Sequence, residues 1–372
     1  MCPIREFGSI RVHGWVRMGG DGLMTDVHVI LKKALNDEIG KDEALMLFRK
    51  VQDRDGLLEL LRIASKVRDD EVGNEIKLMG FIASITPCTV DPPCRYCFRW
   101  ANKKLFNWDD VLTDEELTVA MKTLSEKGLK RVEVGGGTYL GEEGRKMTFH
   151  KLSIACGASR DVGVWITNVS FLPEDVYRLK DIGVEGVTCN LETINEEAFR
   201  RLRPGLDFDL RKRIIEESDK AGLGIDNTLM IGLGEDRGQP HPYEDWVEFF
   251  FYFKRFKNLR IIEVHPFRPT WGSPTQDMPS GSEFETLKAM AIARLIYRNV
   301  DISGAHTVQG LLAGANLIMH VYPITKSFRP WGKHGIFASK IERLVGDAVM
   351  VDNLFEVTRN AKEMGFEIEI EC

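Results

Sequence analysis

The chain has no uninterrupted apolar run of the roughly 18–20 residues that a helix needs to cross a bilayer. Its first stretch, Met1–Trp15, holds no continuous apolar segment of the signal-peptide type. It also lacks a basic tail or an arginine and lysine stripe. With a formal charge of -6 and a pI of about 5.9, electrostatics argue against a nucleic-acid partner. These absences predict a cytoplasmic protein with no membrane partner. A disulfide framework is missing too. The 7 cysteines are an odd set, with Cys2, Cys156, Cys189 and Cys372 scattered along the chain. Cys156 reads as a small core residue. Cys88, Cys94 and Cys97 crowd into one short stretch, which suits a metal site in a reducing compartment.

What is present is apolar content of 43% in 372 residues, enough for one large α/β domain or two smaller ones. Residues 1–75 read as an N-terminal helical extension. Thr25 can cap a helix to about residue 36, and Lys41–Lys50 and Asp55–Val67 carry apolar residues at helical spacing. From residue 76 to 345, short β-rich runs alternate with amphipathic ones. Candidate strands are Leu78–Ile85, Lys130–Val134, Val162–Ile166, Val184–Cys189, Ile225–Ile231, Arg260–Val264, Val300–Ile302 and Ala315–Met319. Thr113 with Glu116 forms a capping box, Pro173 fits a first helical turn, and Asp207 or Asp209 can cap the helix towards Lys220. Helices also fit Tyr243–Lys257 and Ser282–Tyr297, and Gly128, Gly183 and Gly222 fit positions just past helix ends. Eight strands alternating with helices predict an α/β fold, a (βα)8 TIM-type barrel, with a doubly wound sheet as the alternative. Residues 346–372 read as a C-terminal helix and tail packed on the barrel. Both folds put ligands beyond the C-terminal ends of the strands.

The unusual residues cluster at those ends. Cys88, Cys94 and Cys97, spaced C-x5-C-x2-C, directly follow the first strand. Three thiolates in one loop can bind iron and leave one iron of a [4Fe-4S] cluster open. A structural zinc or a fully ligated cluster, completed by a distant fourth ligand, is the alternative. Pro92 and Pro93 stiffen the longer gap, Tyr96 could cover a bound ring, and Phe98 and Trp100 could shield the site or simply pack.

This loop resembles that of the radical S-adenosylmethionine (SAM) superfamily, in which C-x3-C-x-aromatic-C follows the first barrel strand; here the first gap is five residues. The chain from about 55 to 345 resembles the branch of biotin synthase, the [FeFe]-hydrogenase maturase HydE and the pyrrolysine-pathway mutase. The five-residue gap is similar to that of a group associated with biosynthesis of the iron-guanylylpyridinol cofactor of methanogen [Fe]-hydrogenase. The resemblance implies a [4Fe-4S] cluster on the three cysteines, SAM as cosubstrate, a small-molecule substrate and an electron donor such as a ferredoxin or flavodoxin. It also allows contact with other cofactor-biosynthesis proteins.

Further motifs carry the resemblance. Gly135, Gly136, Gly137 and Thr138 end the second strand, like the family's glycine-rich motif that receives the SAM amino group; a plain tight turn is the alternative. Asn190 and Glu192 follow the fourth strand, with alternation placing them on the side of Thr188, and match positions that contact SAM ribose and methionine. Arg200 matches an arginine that pairs with the SAM carboxylate; Arg201 and Arg203 compete for that role. Ile231 and Leu233, flanked by Gly232 and Gly234, resemble the adenine-holding segment. His265 could meet substrate or be structural. The stretch from Ser303 implies a short helix that brings Asn316–Tyr322 to the open face. Lys326, Arg329, Trp331, Lys333 and His334 could cover the cavity or form a solvated loop. Biotin synthase carries extra cysteines on its second, third and fifth strands. The matching places here, Val134-Gly135-Gly136, Ile166-Thr167-Asn168 and Asp226-Asn227-Thr228, have none, so sulfur insertion is not expected.

Overall fold

The computed structural model describes residues 21–167, 170–326 and 340–370. Eight parallel strands follow in order: β1 Glu75–Ile82, β2 Arg131–Gly135, β3 Gly163–Thr167, β4 Val184–Thr188, β5 Gly224–Ile231, β6 Leu259–Pro266, β7 Asp301–Ile302 and β8 Leu317–Thr325. Each pairs with its sequence neighbour from β1 to β7, and β8 pairs with β1. The β7–β8 seam closes through the Ser303–Leu317 bridge and the Asn316 amide on the Ile302 carbonyl. The result is the (βα)8-type barrel that the alternation of elements predicts.

Three helices precede the barrel, α1 Asp21–Ala34, α2 Lys41–Lys50 and α3 Arg54–Glu71. Around it run α4 Asp114–Glu126, α5 Glu142–Ala158, α6 Val176–Asp181, α7 Glu196–Leu202, α8 Phe208–Ala221, α9 Tyr243–Lys254, α10 Glu283–Tyr297 and α11 Val308–Leu312. The capping box of α4 forms as its sequence requires: the Thr113 amide donates to Glu116 at 2.7 Å and the Glu116 amide to Thr113 Oγ1 at 3.2 Å. Asp207, not Asp209, caps α8. Helix α1 begins at Asp21, so Thr25 lies within it rather than ahead of it. Among the described residues no helix is long and apolar enough to cross a membrane.

Period-two alternation sorts the strand residues. Val132, Val134, Ile225, Leu229 and Ile231 join the large apolar core with the helices. The opposite face fills the barrel in layers. At its N-terminal end, Lys77 and Arg131 hold Asp301 at 2.7 and 3.1 Å, and Asn316 donates to Asp301 at 2.8 Å. Above this ionic floor sit Met79, Trp165, Ile261 and Leu317. A Cβ on Gly186 or Gly224 would lie 2.4 or 2.5 Å from the Trp165 ring, so glycine at both places is what admits the indole. Asn316 is therefore buried at the closed end, contrary to the expectation that it reaches the open face. A parallel β8 that begins at Leu317 puts Asn316 at the N-terminal end of the barrel.

The N-terminal helices pack on α9 and α10. The fully buried Lys288 of α10 donates to the Phe48 and Val51 carbonyls at 2.9 and 3.0 Å, satisfying the C-terminal end of α2. The C-terminal region contributes strands as well as a helix: β9 Lys340–Arg343, β10 Val349–Asp352, α12 Leu354–Glu363 and β11 Glu367–Ile368. Strand β10 is antiparallel to β8, and β11 is parallel to β1. Lys326 turns away from the chamber to pair with Glu116 at 2.8 Å. Arg329, Trp331, Lys333 and His334, like Cys2 and Cys372, lie outside the described residues.

Candidate active site

The cysteines lie on the long β1–α4 connection, at the C-terminal end of the barrel. The glycine motif after β2 fastens that connection through its own backbone. The Ile85 amide donates to Gly135 (2.8 Å), Gly137 to Thr86 (2.9 Å), Thr86 Oγ1 to Gly137 (2.7 Å) and Thr89 to Thr138 (3.0 Å). A Cβ on Gly137 would stand 2.3 Å from the Cys88 nitrogen, so only glycine permits this approach. The carbonyl of the half-buried Gly136 takes no part in this docking. On the other flank, Arg95 donates to the Leu202 carbonyl at 2.8 Å and Thr270 Oγ1 to the Tyr96 carbonyl at 2.8 Å. Trp100 sends its indole N–H to the Cys94 carbonyl at 2.9 Å.

Cys88, Cys94 and Cys97 are all half-buried free thiols. Burial, then the charges of Cys94 and Cys88, push the Cys97 thiol up to about 11. Among the described residues no three Cys, His, Asp or Glu converge tightly enough for a single metal ion. A buried cation stands beside the cysteines. Arg203, 7% exposed, donates to the Asn190 carbonyl at 2.7 Å and lies 3.5 Å from Glu192. Burial works against its charge, but Glu192 and Cys94 outweigh burial and raise its pKa. Its Nε is buried without a hydrogen-bond partner, so the donor set has room for a further anionic group.

Arg200 is placed elsewhere. It lies on the solvent face of α7, paired with Glu196 at 2.7 Å and 3.6 Å from Asp209. Arg201 reaches the Gly234 carbonyl at 2.7 Å. Of the three candidates, Arg203 alone comes between Glu192 and the cysteines. Glu192 is reached by the Tyr96 hydroxyl and Arg203, both on Oε2. The alternation used to orient Asn190 and Glu192 does not extend that far, since β4 ends at Thr188 and Glu192 has φ 65°. Asn190 instead accepts from the Thr228 amide at 3.0 Å through Oδ1. The Ile231 carbonyl is held by the Phe267 amide at 2.7 Å. Leu233 joins Leu202 and Phe267 in an apolar nest against Tyr96. Cys189 is fully buried behind β4, its Sγ 3.6 Å from the Arg211 carbonyl.

Below the cysteines the inner wall is polar. Thr188 donates to Asp226 Oδ2 and Thr228 to Glu263 Oε1, both at 2.9 Å. His265 Nε2 meets Glu263 at 3.0 Å, and His320 Nε2 meets Glu133 at 3.2 Å. His265 and His320 keep 38% and 41% of their side-chain surface while projecting into the barrel, so open space remains above the wall. Burial, then Glu263 and Glu133, raise Asp226 well above the usual carboxylate range, and its Oδ1 has no hydrogen-bond partner. Burial is outweighed at Glu263 by His265, His320 and Thr228, which hold it low. Burial, then His265 and His320, push His306 down to about 4. Glu133, Asp226 and His320 were not singled out from the sequence, whereas Glu263 lies in the sixth-strand end whose polar residues are expected to meet substrate. Acids at inward positions of otherwise apolar strands were the available signal.

Comparison with known proteins agrees with this geometry. Residues 84–247 match the Radical SAM superfamily model. The protein MJ0785 of Methanocaldococcus jannaschii is 33% identical over 303 residues, covering 77% of this chain and 76% of that protein. 3-Methylornithine synthase of Methanosarcina barkeri is 24% identical, covering 76% of this chain and 79% of its own. Biotin synthase of Thermodesulfovibrio yellowstonii is also 24% identical, covering 71% and 83%. The crystal structure of methylornithine synthase (PylB) superposes with a TM-score of 0.69 at 20% identity, covering 91% of this chain and 97% of that one. The chain belongs to the radical SAM superfamily and is an enzyme related to biotin synthase and methylornithine synthase, with SAM and a [4Fe-4S] cluster as the cofactors the family defines.

Proposed function

We propose that Cys88, Cys94 and Cys97 hold a single [4Fe-4S] cluster, and that the 5′-deoxyadenosyl radical made from SAM abstracts a hydrogen atom from a small molecule in the barrel. The observation that carries this is the three-thiol loop beside the buried, incompletely bonded Arg203 at the open barrel end. When bound, the cluster supplies an open iron for the SAM amino and carboxylate groups and the electron that breaks the C–S bond. The chain's own residues do the positioning. Arg203 pairs with the SAM carboxylate, and the Gly136 carbonyl receives the amino group. Glu192 Oε1, which accepts no hydrogen bond within the described residues, takes the ribose hydroxyls. The nest of Leu233, Phe267 and Tyr96 holds the adenine. The substrate then lies above Asp226, Glu263, His265 and His320. Among the described residues Cys156 and Cys189 are the other cysteines, and neither is on the inner wall, which favours rearrangement or fragmentation over sulfur insertion.

The test is anaerobic reconstitution with iron, sulfide, SAM and dithionite. Formation of 5′-deoxyadenosine, abolished by Cys94→Ala, supports the reading. Iron-loaded protein that leaves SAM intact overturns it.

A second reading rests on the C-x5-C-x2-C spacing. It resembles HmdB (HcgA), and so points to the pyridinol part of the [Fe]-hydrogenase iron-guanylylpyridinol cofactor. Deleting the gene in a host that makes this cofactor should abolish it. A deletion strain with normal cofactor content removes this reading and leaves the first intact.

A further inference from the structure

The cysteine loop does more than carry ligands. Between Pro92 and Trp108 it has four cations, Arg95, Arg99, Lys103 and Lys104, and no acidic residue, in a chain whose formal charge is -6. Some surface cations elsewhere are drawn into pairs, as Lys33 with Glu43 and Arg255 with Glu216. Among the described residues none of these four has an ion-pair partner, although Arg95, Lys103 and Lys104 are exposed. Like charges this close repel one another, so the arrangement is unfavourable until an acidic surface meets it.

Aromatic surface is interleaved with this charge. Phe98 is 50% exposed, Trp108 60% and Trp271 82%. Trp271 adjoins Gly272, whose Cβ position lies 3.7 Å from the Trp100 carbonyl, so all three aromatics border the same loop. Exposed aromatics beside clustered positive charge are the composition of a protein-docking surface. Trp100 connects this surface to the cysteines. Its amide donates to the Cys97 carbonyl at 3.1 Å, its indole to the Cys94 carbonyl at 2.9 Å, and Lys103 Nζ sits 4.7 Å over its ring.

The geometry points to this collar as the docking site of an acidic, low-potential one-electron carrier protein. The inference rests on the proposed function, which requires one electron per SAM cleaved. In the transfer the donor is oxidised by one electron and the cluster reduced by one, with no proton or bond exchanged. Charge complementarity orients the carrier, the aromatic rim excludes water at the contact, and Trp100 provides a hydrogen-bonded route to two cluster ligands.

The experiment uses the reconstituted holoenzyme and an acidic bacterial [4Fe-4S] ferredoxin. Ferredoxin Kd is measured across a salt series, alongside the ferredoxin concentration that half-saturates 5′-deoxyadenosine formation. The variant is Lys103→Glu/Lys104→Glu; Lys257→Glu, on the loop that enters β6 at the closed end, is the charge control. Iron content and the dithionite-driven rate report an intact site. Expected is a rise in Kd and half-saturation of roughly tenfold or more at low salt, shrinking as salt screens the contact, with the dithionite-driven rate unchanged. An unchanged ferredoxin Kd in the double variant, or an equal rise in Lys257→Glu, overturns the docking site while dithionite-driven activity keeps the function reading alive. A shifted Kd with no 5′-deoxyadenosine from either reductant leaves the docking site standing and sinks the function reading instead.

Discussion

Replacing Arg203 separates the site as folded from the site that the family motif alone suggests. Its guanidinium, 7% exposed, has one NH group on the Asn190 carbonyl at 2.7 Å and Glu192 at 3.5 Å, with Nε unpartnered. A charge-assisted hydrogen bond to a SAM carboxylate contributes about 1.5–3 kcal/mol. Arg203→Ala should therefore weaken SAM binding by roughly 10- to 150-fold. The same change leaves Glu192 beside the thiols without its cation, a loss of up to about 3 kcal/mol in stability. Arg203→Lys guards against misfolding: it keeps the charge but loses the fork, and should weaken SAM less than the alanine variant. Arg200→Ala, on the solvent face with its i,i+4 partner Glu196, should leave stability near parent and change SAM affinity by less than about twofold. The assay is equilibrium dialysis of SAM against cluster-loaded protein, with iron content checked for each variant. Parent-like SAM affinity in both Arg203 variants, or a loss in Arg200→Ala equal to that in Arg203→Ala, would refute the placement.

Gly137→Ala should displace the Cys88 segment, because its Cβ would stand 2.3 Å from the Cys88 nitrogen; iron and sulfide bound per chain should fall sharply while the far-ultraviolet circular dichroism stays near parent. Asp226 has its pKa raised by burial, then by Glu263 and Glu133, so the fold favours its protonated form and its cost grows as pH rises above the ordinary carboxylate range. Asp226→Asn should then raise stability at neutral pH by about 1–3 kcal/mol in denaturant titrations, the gain shrinking towards pH 4; a uniform loss at every pH would contradict the assignment. At His320, burial pulls the pKa down but Glu133 and Glu263 outweigh it, so the folded value lies above the unfolded one. Its contribution is complete below the unfolded value of about 6.5 and lost as pH rises through the folded one, so the Tm gap between parent and His320→Gln should narrow as pH rises above about 6.5.

The sequence alone determined the features that depend on local pattern. Eight apolar runs became the eight barrel strands, Thr113 and Glu116 capped α4, and three cysteines in one connection stayed together because chain connectivity allows nothing else. The tertiary structure decided which side chains meet. Arg200 and Arg203 would share a face of a continuous helix, but α7 ends at Leu202. Arg203 therefore leaves the helical path with φ -127° and ψ 55° and turns inward, while Arg200 stays in solvent. Alternation failed beyond Thr188 for the same kind of reason, since it holds only while the strand lasts. The direction of β8, fixed by its pairing with β1, sent Asn316 to the closed floor. The acid and histidine wall needed the closed barrel, because Glu133, Asp226, Glu263 and His320 come from four strands and lie up to 187 residues apart. Periodicity and capping are short-range and legible in sequence; closure, helix termination and the burial that shifts a pKa depend on contacts no local pattern encodes.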